Sequence, residues 1–315
     1  MTKSSSDEIV VLCGGVGAAK LLAGLVRVTE PAAISAVVNI ADDETIHGLH
    51  ISPDLDTIAY TLAGEINPET GWGLIGESWN AMEMVSKYGG IDWFKLGDRD
   101  IGTHLYRTQR FSEGAQLHEI TEEISAAWNI PISILPASND RIKTRITIET
   151  GDEITFQDYF VRLAHQVAVK GVRFEGVKDA KPCEGVIERI SRSSLIIIAP
   201  SNPIVSIGPI LAIPGIREAL TSRRDHVIAI SGIVGGKAIK GPADRLLKEL
   251  GHEPSVVGVA RLYHEITGTL VIDEVDLAQK ERVEQEGVNC IVTNTIMNNP
   301  EQAASLCRTI LNEER

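Results

Sequence analysis

The chain has 315 residues, enough for one large α/β unit with an insertion or for two ordinary domains. Its 43% hydrophobic and 23% charged content excludes an intrinsically disordered chain, and no apolar run reaches the roughly 18–20 residues of a membrane-spanning helix. Lys and Arg number 30 against 43 Asp and Glu, a formal charge of −13 that disfavours nucleic acid or an anionic membrane as a bulk partner.

Residues 1–7 are polar, so no signal peptide is expected, and the four scattered cysteines (Cys13, Cys183, Cys290, Cys307) form no C-x-x-C pair. Both features predict a reduced, cytoplasmic setting. Residues 8–12 (EIVVL) read as a buried strand, broken by the glycine loop 13–20, after which 21–28 has helical spacing. Residues 33–40 read as a second strand that ends at Ala41-Asp42-Asp43-Glu44. This order predicts an α/β fold, a Rossmann-like, doubly wound, mainly parallel sheet. Helical periodicity dominates 54–129, notably 78–88 and 117–128, and all four tryptophans (Trp72, Trp79, Trp93, Trp128) fall there. The segment is expected as a helical insertion, leaving 1–53 and 130–315 as the nucleotide-binding core. Residues 144–156 alternate and turn at Thr150-Gly151-Asp152, which predicts a β-hairpin. Further strands are predicted at 132–135, 195–199, 226–230, 255–259, 269–272 and 289–292.

Chemistry-bearing residues cluster where these strands end. Gly14, Gly15 and Gly17 let a backbone approach an anion, and the following helix aims its free N–H groups at the same place. The loop is neither Walker A nor G-x-G-x-x-G, because Lys20 stands at the third glycine position. Asp43 follows the second strand, and Asp54 and Asp56 follow in Ser52-Pro53-Asp54-Leu55-Asp56-Thr57. Three carboxylates around one pocket can hold Mg²⁺ and leave one free to take a proton from a hydroxyl. Lys95-Leu96-Gly97-Asp98-Arg99-Asp100 reads as a loop in which Lys95, Arg99 and the nearby Arg107 offer cations to a phosphate, oriented by Asp98 and Asp100. Ser201 and Asn202, between Pro200 and Pro203, offer a hydroxyl and an amide at another strand end. Ser231–Lys237 and Gly241-Pro242-Ala243 repeat the pattern. Loops converging on one sheet edge predict a nucleotide pocket.

Together and in this order, GGVGAAKLL (14–22), VVNIADDE (37–44), ISPDLDT (51–57), KLGDRD with THLYR (95–107), APSNPIVSIGPI (199–210) and GPADRLL (241–247) resemble the CofD family, the 2-phospho-L-lactate transferases of coenzyme F420 biosynthesis. The likeness covers nearly the whole chain, with Val16 where the family more often has threonine. The resemblance implies transfer of a phospholactyl or phosphoenolpyruvyl group from a guanosine diphosphate-linked donor to the ribityl hydroxyl of the deazaflavin Fo, with release of GMP and a requirement for Mg²⁺. It implies that Asp56 and Lys95 bind Fo, that Asp54 or Asp56 takes the hydroxyl proton, and that Asp43 and Asp54 are Mg²⁺ candidates. Gly14, Gly15, Gly17, Lys20, Arg99, Ser201 and Asn202 would face the nucleotide and phosphates, with the helical insertion and Trp72 over the deazaflavin. A homodimer is usual for such enzymes. Non-enzymatic regulators of the same superfamily that bind a nucleotide sugar share the glycine loop and an acidic segment like Ala41-Asp42-Asp43 but usually carry further glycines and serines after it. Here Glu44-Thr45-Ile46-His47 follows and SPDLDT stands downstream, which favours the transferase. A dinucleotide-dependent dehydrogenase is disfavoured by Lys20.

Overall fold

A strand covered on both faces needs apolar side chains at every position, and short runs of Ile, Val and Leu meet that need here. In the computed structural model, which describes residues 8–313, these runs form β1 (Ile9–Cys13), β2 (Ile34–Val38), β3 (Ser133–Pro136), β4 (Leu195–Ile198), β5 (Val227–Ile230), β6 (Thr269–Asp273) and β7 (Asn289–Thr293). The polar stretch 1–7 lies outside the described residues. Every residue of β1, β2, β4 and β5 is buried. The strands pair in parallel in the order β7-β6-β5-β4-β1-β2-β3, with Ile9 flanked by Ile34 and Leu195. The winding direction reverses between β1 and β4, and a crevice opens at such a switch point. This is the α/β, Rossmann-like sheet that the sequence predicts.

Two elements differ from expectation. The glycine loop is not a separate turn: α1 (Gly15–Leu25) starts inside it. Residues 255–259 form no strand, because Ser255 Oγ accepts the Gly258 N–H at 3.2 Å and caps a helix over Val256–Tyr263. Capping and burial outweigh the β-preference of three valines there.

The crossover from β2 to β3 carries a small hairpin (Glu44–Ile46 with Leu49–Ile51), then α2 (Pro53–Ala63), α3 (Asn80–Lys87), α4 (Asp98–Ser112) and α5 (Leu117–Ala127). α2 packs beside α1 and α5 against β3, and Leu55, Ile58, Tyr60 and Leu117 belong to the main core. Only the middle of 54–129 stands off the sheet, over a small cluster of Ile46, Ile51, Met82 and Leu96. The predicted hairpin near 144–156 is present as Lys143–Ile148 with Glu153–Thr155, and Val169–Glu175 pairs on its other side as a third antiparallel strand. This unit has its own cluster around Ile146 and Tyr159. Among the described residues, no single helix is long and apolar enough to cross a membrane. All four cysteines are buried and free.

Candidate active site

A cleft of about 600 Å³ lies at the carboxyl ends of β1, β2, β4, β5 and β7. A smaller hollow of about 360 Å³, lined by Arg224, Asp225 and Glu284, lies at the amino ends of β6 and β7, away from the glycine loop. The cleft wall holds Gly14, Gly15, Gly17, Lys20, Asp54, Asp56, Lys95, Ser201 and Asn202, which the sequence singles out. It does not hold Asp43 or Arg99.

The loops after β1 and β4 interlock. Gly15 takes a left-handed φ of +70°, and its N–H donates to the Asp54 carboxylate. A Cβ on Gly17 would sit 2.5 Å from the carbonyl oxygen of Pro200, so no larger residue fits that approach. Ser201 Oγ donates to the Gly14 carbonyl at 2.6 Å and accepts the Gly14 N–H at 3.3 Å. Asn202 Oδ1 accepts the N–H groups of Ile204 (2.9 Å) and Val205 (3.3 Å). These two side chains therefore shape the loops while both line the cleft. A serine or asparagine after a strand serves either purpose, and sequence does not tell which.

Three carboxylates gather at the end of β2 and the start of α2. Asn39 Nδ2 donates to Asp42 Oδ2 and to Asp54 Oδ2, both at 3.0 Å. Burial is the main reason that the Asp42 carboxyl is held well above its ordinary range, with the Asp54 charge adding to it. Burial likewise raises Asp54 from 3.8 to about 7, against the hydrogen bond from Asn39 and with the charge of Asp43. Asp43 is also raised by burial. It sits behind the wall, where its Oδ2 accepts Ser52 Oγ at 2.6 Å and contacts His50 Nε2 at 3.1 Å. One oxygen each of Asp42 and Asp43, Oδ1 in both, is buried without a partner. Asp42 thus takes the place on the wall that the sequence reading gave to Asp43. Adjacent residues past a strand end face different ways, and the turn that decides between them is not legible in DD.

Asp56 is buried in an ion pair with Arg107, whose Nη1 lies 3.1 Å from Oδ2 while Nη2 contacts Oδ1. The same Nη1 lies 3.3 Å from His104 Nδ1, and Tyr60 Oη donates to Asp100 Oδ1 at 2.7 Å. His104 Nε2 lies 3.4 Å from Asp100 Oδ1. Asp56, Asp100 and His104 lie close enough to share a cation. Arg107 already takes both oxygens of Asp56 and Tyr60 one oxygen of Asp100, which leaves this triad few free lone pairs for a cation. In this arrangement Asp56 and Arg107 each neutralise the other.

Arg99 faces away, with Nη2 3.1 Å from Glu65 and Nη1 on the Ile75 carbonyl. The run 95–100 is not all loop: α4 begins at Asp98, which accepts N–H groups of Asn80 (3.1 Å) and Ala81 (3.0 Å) at the start of α3. Lys20 and Lys95 remain as cations on the wall, joined by Lys240 just before the glycine of GPADRLL. Lys240 was missed, though its place directly before GPADRLL was a usable signal, and Asn39 lies inside VVNIADDE without being given a role. Apolar surface comes from Trp72, Trp93, Phe94, Phe156 and Phe160, the last two stacked with centroids 5.4 Å apart. The loop 295–298 after β7 completes the wall, with Thr295 held by two hydrogen bonds to Asp273.

This cleft can bind a polyanion beside carboxylates and a flat apolar group beside aromatic rings. The sequence profile described as "CofD: 2-phospho-L-lactate transferase CofD" matches residues 9–307. A protein of Streptomyces griseus subsp. griseus named phosphoenolpyruvate transferase is 41% identical over 310 residues, covering 96% of this chain and 97% of the relative. One of the same name from Nocardia farcinica is 39% identical over 315 residues, covering 98% and 95%. Among solved structures, protein BH3568 from Bacillus halodurans superposes with a TM-score of 0.65 at 19% identity, over 97% of this chain and 99% of that one, which speaks for the fold alone. With nearly full-length matches to both the profile and the relatives, the chain belongs to the CofD family of transferases of coenzyme F420 biosynthesis.

Proposed function

We propose that the chain moves a phosphoenolpyruvyl or phospholactyl group from a guanosine diphosphate-linked donor to the ribityl hydroxyl of the deazaflavin Fo, releasing GMP. The observation that carries this reading is one cleft in which Asp42 and Asp54 stand beside the glycine loop, with Lys20 and Lys95 also on its wall. The relatives named phosphoenolpyruvate transferase support the enolpyruvyl form of the donor.

In this reaction the hydroxyl oxygen attacks the phosphorus carrying the acid. A phosphorus–oxygen bond forms to the ribityl carbon's oxygen, and the bond to the bridging oxygen of GMP breaks. Asp54, raised to about 7, is suited to accept the proton as the new bond forms. The departing phosphate gains charge, which the Val16 and Gly17 amides at the start of α1 and Lys20 neutralise without reorganising. Asp42 and Asp54, both on the cleft wall and bridged by Asn39, offer oxygen ligands, which suits a hard cation. Mg²⁺ held there would neutralise part of the diphosphate charge. Arg107 holds Asp56 in place, and Lys95 with Trp93 and Phe94 fits the polar edge and flat face of the deazaflavin. A cytoplasmic homodimer belongs to the same reading.

The test is incubation with Mg²⁺, Fo and, separately, the guanylylated forms of phosphoenolpyruvate, 2-phospholactate and 3-phosphoglycerate. The expected result is a product with the mass of Fo joined to the acid through a phosphodiester, together with one equivalent of GMP. No such product with any donor overturns the reading.

A further inference from the structure

Lys240 stands where two separate parts of the molecule face each other across the cleft mouth. On one side, strap 67–76 is closed on itself by the Asn67 N–H to Gly73 O bond (3.0 Å) and the Ile75 N–H to Glu65 O bond (2.8 Å). On the other side is the turn between Ile233–Val234 and Lys237–Ala238, which leads into Lys240. Buried Asp276 fixes that turn by accepting the Gly235 N–H at 2.8 Å. Across the gap, Lys240 Nζ donates to the Thr70 carbonyl at 3.2 Å, and a Cβ on Gly71 would sit 2.9 Å from the same nitrogen.

The charge that Lys240 meets is Lys20, another cation, rather than a carboxylate. Loss of water around the ammonium and then the Lys20 charge hold it below its ordinary value. Two like charges on one wall are unfavourable in the free protein and become favourable when an anion lies between them. An ammonium has three N–H donors, and Thr70 takes only one.

We propose that Lys240 is a substrate-binding residue that ties strap 67–76 to the anionic part of the donor. Its Nζ keeps the Thr70 carbonyl and gives its remaining N–H groups to a phosphoryl or carboxylate oxygen shared with Lys20. Binding then holds the strap, and with it Trp72, against the cleft. This rests on the donor reading above for the identity of the anion, but not for its binding.

Inorganic pyrophosphate and phosphoenolpyruvate serve as probes, with binding read by thermal shift in wild type, Lys240→Met and Lys240→Arg. The expected loss in Lys240→Met is about tenfold or more in affinity, with Lys240→Arg close to wild type. Loss with both probes assigns the contact to a phosphoryl oxygen, and loss with phosphoenolpyruvate alone assigns it to the carboxylate. The strap is read by Glu-specific proteolysis after exposed Glu69. Cleavage should slow on adding probe to wild type, and should be faster and unprotected in Lys240→Met. Equal probe affinity in wild type and Lys240→Met, or equal protection of Glu69 in both, overturns the proposal. Should wild type bind the probes as expected but transfer nothing to Fo, the reaction assignment fails and the role of Lys240 stands.

Discussion

Asp54 is asked for two things that conflict: desolvation raises it to about 7, and the same desolvation makes its ionised form costly. Its folded value lies above its unfolded one, so ionising it subtracts stability as the pH climbs from about 4 through about 7. Asp54→Asn removes that charge while keeping an oxygen for the Asn39 amide. We expect the metal-free variant to melt higher than wild type at pH 8 and to lose about 10²–10⁴-fold in transfer rate. A variant that keeps wild-type turnover would remove Asp54 from the chemistry. Asp42 and Asp43 show how far sequence reaches at this scale. An acidic pair after a strand is legible as a candidate for the cleft, but which of the two reaches it depends on the turn at 41–43, and the structure chooses Asp42.

At the scale of elements, α2 and α4 are joined by the Asp56–Arg107 pair, which is buried on both sides. Removing only Arg107 strands a carboxylate in the interior, and Arg107→Ala should cost about 3–5 kcal/mol in urea unfolding. Adding Asp56→Ala should restore part of that loss, since no charge is then left unpaired. A double variant as unstable as the single one would show that the helices depend on packing here and not on the pair. Most elements were legible because their patterns are strong: all-apolar runs for the central strands, alternation for the hairpin, 3.6-residue spacing for α3 and α5. Residues 255–259 were not, because β-branched residues fill buried strands and buried helices alike and the serine cap was the only local clue. The helical segment 54–129 was legible as helical but not as part of the core, since packing of α2 on α1 is a long-range fact.

For the molecule as a whole, three raised carboxylates at one end of the sheet add to a formal charge of −13. In the metal-free protein all three lose protons reluctantly, so stability from this region falls as the pH rises past their unfolded values near 3.8. A cation that needs them ionised binds best at high pH. Mg²⁺ should therefore raise the melting temperature of the chelator-treated protein more at pH 8 than at pH 5.5. At a hundredfold excess over its dissociation constant the gain is about 2.7 kcal/mol. The same increment at both pH values would place the cation elsewhere. The Ser201 hydroxyl that clasps Gly14 comes from a residue 187 positions later in the chain, and β4 beside β1 comes equally late. During synthesis, the amino-terminal half emerges with its glycine loop unfastened. A ribosome-released fragment ending before residue 200 would lack that clasp, so the glycine loop is fastened only in the second half of translation.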